Sequence, residues 1–563
     1  MNTQIKRAVA LALAVGVASG AHATEGSLLT AAVSAGNVVY ASGSTAVAAA
    51  LTNYFDQVLD PTNSPCQISA TGANTQLEFY SDTTSGEQFV AYACNSNTSP
   101  SVPIAFIKEN NAGSGNGLGP VGGNTALTYP LLTGTNTFAA SCTAATHAAV
   151  TATVNGTSTT VGGAYTAYTC SGETLTTLAP NLGFADVDPA LFGKSASGFG
   201  ITVGPTVDLV FAPAVSLGLY RALQTAEGLP TDDLLADVPN MTKGELSSIF
   251  TGQTTDWSFL TGSAGTALGS QSVQFGNSSP TLGTFEGQKT TPSSTVVHVC
   301  RRDDFSGTEK TMETYFGGLA NNGGSCLSGV NNWVLSSNSE LLGSGWANTQ
   351  TTSTSYANSS TGNVLKCLEA NDSVGQFAIG YASVDNAFGT NGTPQQSTLA
   401  ADFRYIKVDG ILPSIENAAS GRYPVFAQSV FAIPSSTSQA NSLKRSGANA
   451  NALALQTRIT GTTGIGDFNV VAAVNALDQW SSPSFHGGLL AIPSSINVPV
   501  DPTATNATFF SNPVNMYYKT VGGVDTQSNP GQIDNCQVPV VNPVDEPNNT
   551  PVGGITAFTP AQN

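Results

Sequence analysis

The chain has 563 residues, of which only 10% are charged and 40% are hydrophobic, and its formal net charge is −18 at pH 7. A surface with this excess of acid repels nucleic acid and anionic membranes, so we expect neither as a partner. The length allows two or more domains, and the hydrophobic fraction is high enough to build cores, which excludes a fully disordered chain.

The first 23 residues are typical of a cleavable secretory signal peptide. Lys6 and Arg7 precede an apolar run over residues 8–17, and a small-residue segment ends at Ala23. The run is too short for a membrane anchor, and no cysteine follows it where a bacterial lipoprotein needs one. We therefore predict a periplasmic or secreted protein without membrane insertion. Cleavage removes Lys6, Arg7 and no acid, which changes the net charge from −18 to −20.

The eight cysteines fit an oxidising compartment and indicate disulfide bonds. Cys66 and Cys94 are 28 residues apart, and so are Cys142 and Cys170. Both pairs bound loop-rich sequence, so sequential pairing is predicted for each. The other four can pair in three ways, which the sequence leaves open: Cys300, Cys326, Cys367 and Cys536. No CxxC motif and no tight Cys/His cluster occurs, so no metal site is predicted.

Two segments near the start of the chain place hydroxyls or glycines directly after a predicted strand. Residues 37–40 form a strand that leads through SGST at 42–45 into a helix over 46–59, whose apolar residues recur at helical spacing. A strand over 102–107 precedes AGSGNG at 112–117, where glycines permit close approach of a ligand to the backbone. Helix capping and a surface loop are the ordinary alternatives.

Two later segments add acids and an anion-favouring helix start. Residues 182–191 form a strand that ends in Asp186 and Asp188. Residues 298–316 indicate a strand, a polar turn and a helix with Ser306 at its N-cap. The unpaired N–H groups and the dipole of a first helical turn favour a bound anion. An ordinary strand-to-helix turn with a surface Arg–Asp pair is the alternative reading of the last segment.

The order of strands and helices predicts an α/β fold of two lobes with the ligand in the cleft between them. Apolar strands over 207–213 and 423–433 are placed to cross from one lobe to the other. The predicted organisation after the signal peptide 1–23 is a first lobe over 24–212 with Cys-bounded β-rich insertions near 60–100 and 124–178, a second lobe over 213–422, a return to the first lobe over 423–499, and an extended tail over 500–563.

In this order the segments resemble the phosphate-binding proteins of bacterial ABC uptake systems, the PstS family, within the type II periplasmic binding-protein fold. The likeness covers roughly half of the mature chain. It rests on SGST at 42–45, AGSGNG at 112–117, FADVDPAL at 184–191, MTKGELSSIFTGQTTDW at 241–257, RRDDFSGT at 301–308 and YIKVDGILPSIENAASGRYPV at 405–425. No single segment is specific, but the ordered set is.

The resemblance implies that the chain binds inorganic phosphate in the interlobe cleft without a cofactor, with an ABC permease as a candidate partner. The ligand residues that it assigns are Thr45, Ser114, Asp188, Arg302, Ser306, Gly307 and Thr308, supported by Ser44 and Asp304. Asp304 would orient Arg302. Asp188 would accept the proton of monohydrogen phosphate and so reject fully ionised sulfate, with Asp186 as the alternative.

The chain departs from the family pattern in its ligand loops. Phe305 stands where the signature has glycine, and Val187 replaces the serine of the third loop. Thr45 and Ser114 are 69 residues apart, and Ser114 and Asp188 are 74 apart. The two insertions account for this unusual spacing.

No catalytic function is predicted. The three histidines after residue 23 lie in separate segments, and no GxSxG, HExxH, P-loop or dinucleotide motif occurs. We therefore assign no catalytic residue and predict that the chain is not an enzyme. The alternative to phosphate capture is a secreted or surface structural or adhesive protein that reuses the binding-protein fold.

Overall fold

The computed structural model of the chain describes the two predicted lobes and the strands between them. The described residues are 27–56, 64–68, 77–82, 89–110, 113–130, 142–154, 157–171, 175–262, 265–276, 290–316, 355–384, 402–413, 423, 425–435 and 450–460, with six two-residue strands beyond residue 497. The predicted signal peptide at 1–23, Cys326 and Cys536 lie outside these ranges.

The described helices are short and are distributed over both lobes. They are α1 Ser27–Ser34, α2 Ala48–Phe55, α3 Gly113–Asn116, α4 Gly119–Gly123, α5 Ala196–Phe199, α6 Leu217–Glu227, α7 Lys243–Phe250, α8 Gly307–Phe316, α9 Thr361–Ser373 and α10 Ala450–Thr460. Four 3₁₀ turns lie at Pro189–Phe192, Leu235–Asp237, Trp257–Phe259 and Leu268–Ser270. Within the described ranges, no helix is long and apolar enough to span a membrane.

The strands alternate with these helices along most of the chain. They are β1 Val38–Gly43, β2 Leu77–Asp82, β3 Phe89–Asn95, β4 Pro103–Glu109, β5 Leu127–Pro130, β6 Thr143–His147, β7 Val150–Val154, β8 Thr157–Gly162, β9 Tyr165–Cys170, β10 Leu175–Leu178, β11 Leu182–Ala185, β12 Ile201–Ser216, β13 Asn240–Met241, β14 Ser294–Arg302, β15 Ser355–Asn358, β16 Gln376–Ser383, β17 Phe403–Tyr405, β18 Lys407–Val408 and β19 Phe426–Pro434. The two-residue strands are β20 Val498–Pro499, β21 Thr508–Phe509, β22 Thr520–Val521, β23 Val524–Asp525, β24 Val544–Asp545 and β25 Thr550–Pro551.

Strand β12 belongs to both lobes. Its first part pairs antiparallel with β19, from Ile201 opposite Pro434 to Val210 opposite Phe426. Its second part pairs antiparallel with β16 and β17 of the second lobe. The pairing with β19 shifts register between Pro205 and Asp208, an irregularity that bends a strand locally. The predicted crossing segments, 207–213 and 423–433, overlap these two neighbouring strands.

The first lobe is built on a sheet in the order β12-β19-β11-β1-β4-β3-β2-β9-β6. Strand β1 pairs parallel with both β11 and β4, and all six of its residues are buried. A parallel strand in the middle of such a sheet is covered on both faces, which explains its continuous apolar sequence. The second lobe has the order β15-β14-β16-β12, and β14 pairs parallel with β15 and β16.

The Cys-bounded insertions are rich in β-strand, as predicted, and half of their strands extend the sheet of the first lobe. Strand β3 pairs antiparallel with β4, and β2 pairs parallel with β9. The two predicted disulfides, Cys66–Cys94 and Cys142–Cys170, are confirmed. A third disulfide joins Cys300 to Cys367 and so resolves part of the pairing that the sequence leaves open.

The N-terminus of helix α7 is determined by two residues of its own first turn, Thr242 and Glu245. Thr242 Oγ1 accepts a hydrogen bond from Glu245 N at 3.2 Å, and Glu245 Oε2 accepts one from Thr242 N at 2.8 Å. This reciprocal pair is a capping box, which satisfies N–H groups that a helix start otherwise leaves unpaired. After the helix, Gly252 adopts a φ of 72°, which suits glycine at a helix end.

Candidate functional site

The segments singled out in the sequence follow the carboxyl ends of parallel strands. In the first lobe, β1 ends at Gly43, β4 ends at Glu109 and β11 ends at Ala185. In the second lobe, β14 ends at Arg302, shortly before α8 begins. The carboxyl ends of parallel strands lie on one edge of their sheet, where the crevice of an open α/β fold binds ligands.

Asp186 is the point at which the three segments of the first lobe meet. Its carboxylate accepts a hydrogen bond from Ser44 Oγ, and its backbone N–H donates to Ser114 Oγ at 2.9 Å. The residue is only 3% exposed. Burial raises the pKa of this carboxyl above its ordinary value, and the bonds from Ser44 and Ser114 and the charges of Arg302 and Lys108 oppose that rise.

Two glycines allow these segments to pack backbone against backbone. A Cβ atom on Gly43 would lie 2.1 Å from the carbonyl oxygen of Phe184, and one on Gly117 would lie 2.0 Å from the same oxygen. Gly43 also has a φ of +103°, which side chains other than hydrogen rarely permit. Ser44 N then donates to the Phe184 carbonyl at 2.9 Å, which fixes the position of the Ser44 side chain.

The start of α8 in the second lobe lies directly against Ser114 and Asp186. A Cβ atom on Gly307 would be 2.6 Å from Ser114 Oγ and 2.7 Å from Asp186 Cβ. Ser306 is fully buried, and its Oγ accepts from Glu309 N at 3.4 Å, as expected of an N-cap. Thr308 is also buried in this first turn. The first-turn N–H groups and the positive end of the helix dipole therefore lie beside the first-lobe loops.

The two lobes are also joined by a backbone hydrogen bond at this point. Gly115 N donates to the carbonyl oxygen of Phe305 at 2.8 Å. The Phe305 ring is 67% exposed and lies over the same loop, since a Cβ atom on Gly115 would be 3.0 Å from Phe305 Cδ1. The phenylalanine that departs from the family signature thus packs beside the first-lobe loop that contains Gly115.

Arg302 is buried and is held from one side by the segment between β15 and α9. Its Nε donates to the Asn358 carbonyl at 3.1 Å and its Nη2 to the Ser359 carbonyl at 2.8 Å. Its Nη1 donates to Thr361 Oγ1 at 3.2 Å. Burial lowers the pKa of the guanidinium, but an arginine remains charged at physiological pH. A Cβ atom on Gly113 would lie 3.2 Å from Nη2, so the fork also borders the first lobe.

Asp304 does not orient Arg302, which corrects the expectation from the sequence. Its Oδ1 accepts instead from Arg301 Nη1 at 2.9 Å, and its side chain is 65% exposed. Arg302 is fixed by backbone carbonyls and a threonine hydroxyl, which neighbouring sequence does not reveal.

Two other predicted site residues lie next to the residues that make the described contacts. Thr45 is half-buried, and the hydrogen bond to Asp186 comes from its neighbour Ser44. Asp188 is buried, and its carbonyl oxygen accepts from Leu191 N at 3.1 Å in the 3₁₀ turn. The carboxylate that contacts Ser44, and that lies beside Gly307 and Ser114, is Asp186, the alternative left open by the sequence.

A buried charged network behind α8 was not predicted. Glu309 Oε2 accepts from Arg302 N at 3.1 Å, and its Oε1 accepts from Arg301 Nη1 at 3.2 Å. Lys310 and Glu313 form an ion pair at 3.0 Å on the same helix. Burial raises the pKa of Glu309 to about 8 and that of Glu313 to about 7, in spite of these cationic partners. The network fixes the start of α8 to the end of β14.

Lys108 is a second cation near Asp186 that the sequence analysis missed. It is fully buried at the end of β4. Its Nζ donates to the carbonyl oxygen of Gly43 at 2.9 Å and also to Asn110 Oδ1. Burial lowers the pKa of the ammonium group to about 8, and the charges of Glu109 and Asp186 oppose that change. The signal available in the sequence was a lysine directly after the apolar run Pro103 to Ile107 of a strand.

Comparison with known families gives one match, over a segment that includes the second-lobe part of the candidate site. Residues 228–452 match a family model described as a PBP superfamily domain. The matched segment, less than half of the chain, is similar to a PBP superfamily domain. The matched range includes β14, α8 and α9, and hence Arg302, Ser306 and Gly307. The resemblance drawn from the sequence motifs is thereby confirmed at the level of the PBP superfamily.

Three solved structures are similar to parts of this chain. One from Clostridium perfringens, with bound phosphate, is assigned as a phosphate ABC transporter substrate-binding protein; it shares 16% identity over 47% of this chain and 72% of its own, with a TM-score of 0.27. An ABC-type phosphate transport receptor from Vibrio cholerae shares 15% identity over 49% and 77%, with a TM-score of 0.24. PstS from Borrelia burgdorferi shares 9% over 50% and 78%, with a TM-score of 0.23. No curated protein matches the chain.

Proposed function

We propose that the chain is an extracytoplasmic binding protein that captures inorganic phosphate where its two lobes meet. The observation that carries the proposal is the contact of three segments around Asp186. Ser44 and Ser114 bond to Asp186, and Gly307 of the second lobe lies against both Asp186 and Ser114. These segments are far apart in sequence. What they share is a serine or a glycine that follows the end of a strand.

The chemistry of the assembled groups suits a small tetrahedral oxyanion. The hydroxyl of Ser114 and the first-turn N–H groups of α8 are neutral donors, which can surround an anion without a full counter-charge. Arg302 adds a charged donor with N–H groups in a fixed fork, the geometry that matches phosphate oxygens. Each of its Nη atoms carries two N–H groups, so one bond from each to the protein leaves a second for a ligand.

Asp186 is the residue that we assign to the recognition of the phosphate proton. Monohydrogen phosphate has a hydroxyl that can donate to a buried carboxylate, whereas sulfate at neutral pH has none. A sulfate ion would place two acceptors against each other, which costs binding free energy. Asp186 takes the role expected of Asp188 because its contacts with Ser44 and Gly307 put it among the other candidate ligands.

The assignment of the PBP superfamily domain supports a binding role over catalysis. We propose that the protein delivers the captured phosphate to an ABC permease. Strand β12 is shared between the sheets of the two lobes. The permease would therefore contact both lobes, on either side of the cleft.

Calorimetric titration of the mature chain with phosphate and with sulfate tests this function. We expect saturable phosphate binding at neutral pH and little or no sulfate binding. Arg302→Ala should weaken phosphate binding by about 1.5–3 kcal/mol, the range for a lost hydrogen bond to a charged group. Arg458→Ala is the matched control, because Arg458 lies in α10 and its Nη2 donates to Ser64 O, away from the candidate site; it should bind as the wild type does.

Two results would contradict the proposal. Absence of both heat and thermal shift in millimolar phosphate would favour the structural or adhesive alternative. Unchanged affinity in Arg302→Ala, with normal binding by the wild type, would place the ligand at another part of the chain.

A further inference from the structure

Lys108 is a buried cation whose position calls for a functional explanation. It is the sixth residue of β4, and it lies opposite Ala41 in the parallel pairing of β4 with β1. Its exposed fraction is 0%. Removing an ammonium group from water is costly, so a lysine in the middle of a sheet persists only where partners compensate it.

The first partner of Lys108 belongs to the candidate anion site. Its Nζ donates at 2.9 Å to the carbonyl of Gly43, the residue before Ser44. Gly43 has the strained φ of +103° that turns the chain from β1 toward the ligand loop. A hydrogen bond to this carbonyl holds the turn, and therefore the direction from which the Ser44 hydroxyl reaches Asp186. Asn110 Oδ1 accepts a second bond from the same ammonium group.

The second set of partners is electrostatic. Lys108 interacts with the carboxylates of Glu109 on its own strand and of Asp186 on the segment after β11. Asp186 in turn interacts with Arg302 from the second lobe and is bonded by Ser44 and Ser114. Among the described residues, the cations that act on Asp186 are Lys108 and Arg302. Without Lys108, only Arg302 would offset the repulsion between the buried carboxylates and an incoming anion.

We propose that Lys108 is a positioning residue of the anion site, which holds the Gly43–Ser44 turn and offsets the charge of Asp186 so that a doubly charged tetrahedral oxyanion can bind beside it. The inference rests on the proposed phosphate-binding function and deepens it by assigning a residue outside every motif of the ligand loops. It also explains how a site with a buried carboxylate can accept a dianion: the carboxylate selects for a ligand proton, and the lysine removes its repulsion.

The test is the pH dependence of phosphate affinity in the wild type and in Lys108→Met. Methionine keeps the length of the side chain but has neither charge nor donor. At pH 7 the variant should bind phosphate roughly tenfold to a hundredfold more weakly. In the wild type, the contribution of the ammonium group is present below its pKa of about 8 and is lost as the pH rises through that value. Wild-type affinity should therefore decline from pH 8 to 10, whereas the variant should show a flatter profile.

Phosphate gives a clean readout in this range, because it remains a dianion from pH 8 to 10. Asp186→Asn provides a second arm that does not depend on the folding of Lys108→Met. Removal of the Asp186 charge takes away a partner that stabilises the charged ammonium, so the alkaline decline should move to lower pH. Glu309 also titrates near pH 8, but both wild type and Lys108→Met contain it, and the difference between their profiles reports on Lys108.

The possible results separate the inference from the proposed function. A Lys108→Met variant with wild-type affinity, or one with uniformly weaker binding and an unchanged alkaline decline, overturns the charge-balancing role while phosphate binding stands. If Lys108→Met does not fold, an Asp186→Asn profile that coincides with the wild type overturns it. Wild-type protein that binds no phosphate at any pH overturns both proposals.

Discussion

Gly307 shows at the scale of a single residue how the absence of a side chain brings the two lobes together. The distances from a Cβ atom built at this position, 2.6 Å to Ser114 Oγ and 2.7 Å to Asp186 Cβ, are shorter than real side chains show. One of these neighbours is a buried hydroxyl and the other a buried carboxylate-bearing residue, and neither can move far in a packed interior. Glycine is therefore required for the observed closure.

Substitution of Gly307 by alanine tests this requirement. We expect Gly307→Ala to push α8 away from Ser114 and Asp186, with a cost of about 1–3 kcal/mol that is typical of overpacking. Because that cost applies to the closed arrangement, phosphate affinity measured by calorimetry should fall. Gly244→Ala is a suitable control, since a Cβ atom there meets nothing nearer than Thr242 Oγ1 at 3.9 Å. Equal affinities in the two variants would contradict the close contact.

Individual site residues differ in how far sequence could predict them. Ser306 and Gly307 were predictable, because an N-cap serine and a following glycine form a local pattern that the fold preserves. The choice between Asp186 and Asp188 was not, since the two acids lie in one short segment and only the tertiary contacts with Ser44 and Gly307 separate them. Lys108 was missed because alternation of residues cannot distinguish a solvated lysine from one buried in a parallel strand.

At the scale of elements, the position of Arg302 depends on the junction between β15 and α9. Three bonds from its guanidinium end on Asn358, Ser359 and Thr361 of that junction. The Cys300–Cys367 disulfide joins the same two parts of the second lobe, two residues before Arg302 on β14 and one turn or more into α9. This covalent link therefore restrains the donor and its supports relative to each other.

The disulfides Cys300–Cys367 and Cys66–Cys94 should contribute similar amounts to the free energy of unfolding, but only the first should affect phosphate binding. Loss of Cys300–Cys367, with a sequence separation of 67, should lower the free energy of unfolding by about 4 kcal/mol from chain entropy. Loss of Cys66–Cys94, with a separation of 28, should lower it by about 3.5 kcal/mol. Only the Cys300→Ala/Cys367→Ala pair should also weaken phosphate binding, because only that bridge restrains Arg302. Denaturant unfolding and calorimetry on both double variants decide the matter; equal losses of affinity would contradict the restraint.

Elements were predictable where sequence and environment agree locally. The capping box at Thr242 and Glu245 is one case, because both partners lie within a single helical turn. The position of the insertions in the fold was not predictable, since β2 of the first insertion pairs with β9 of the second, and such pairing between distant segments leaves no local signal. The pairing of Cys300 with Cys367 likewise depends on β14 and α9 being neighbours in space.

At the scale of the whole molecule, the fold brings two independent halves of one site together. The first lobe supplies Ser44, Ser114 and Asp186 from the ends of three neighbouring segments, and the second supplies Arg302 and the start of α8. Strand β12 continues from one sheet into the other, with a register shift between Pro205 and Asp208. A strand that connects two lobes, as β12 does, can act as a hinge when the lobes close around a ligand.

The position of a bound anion tests this account most directly. Arsenate is a tetrahedral analogue of phosphate, and diffraction data collected at the arsenic absorption edge from crystals grown with it would locate the anion without reference to the protein atoms. We predict one anomalous peak within hydrogen-bonding distance of Ser114 and Arg302, beside Ser44, Asp186 and the first turn of α8. A peak at any other place, or crystals with no peak at an arsenate concentration that saturates the protein in solution, would contradict the account.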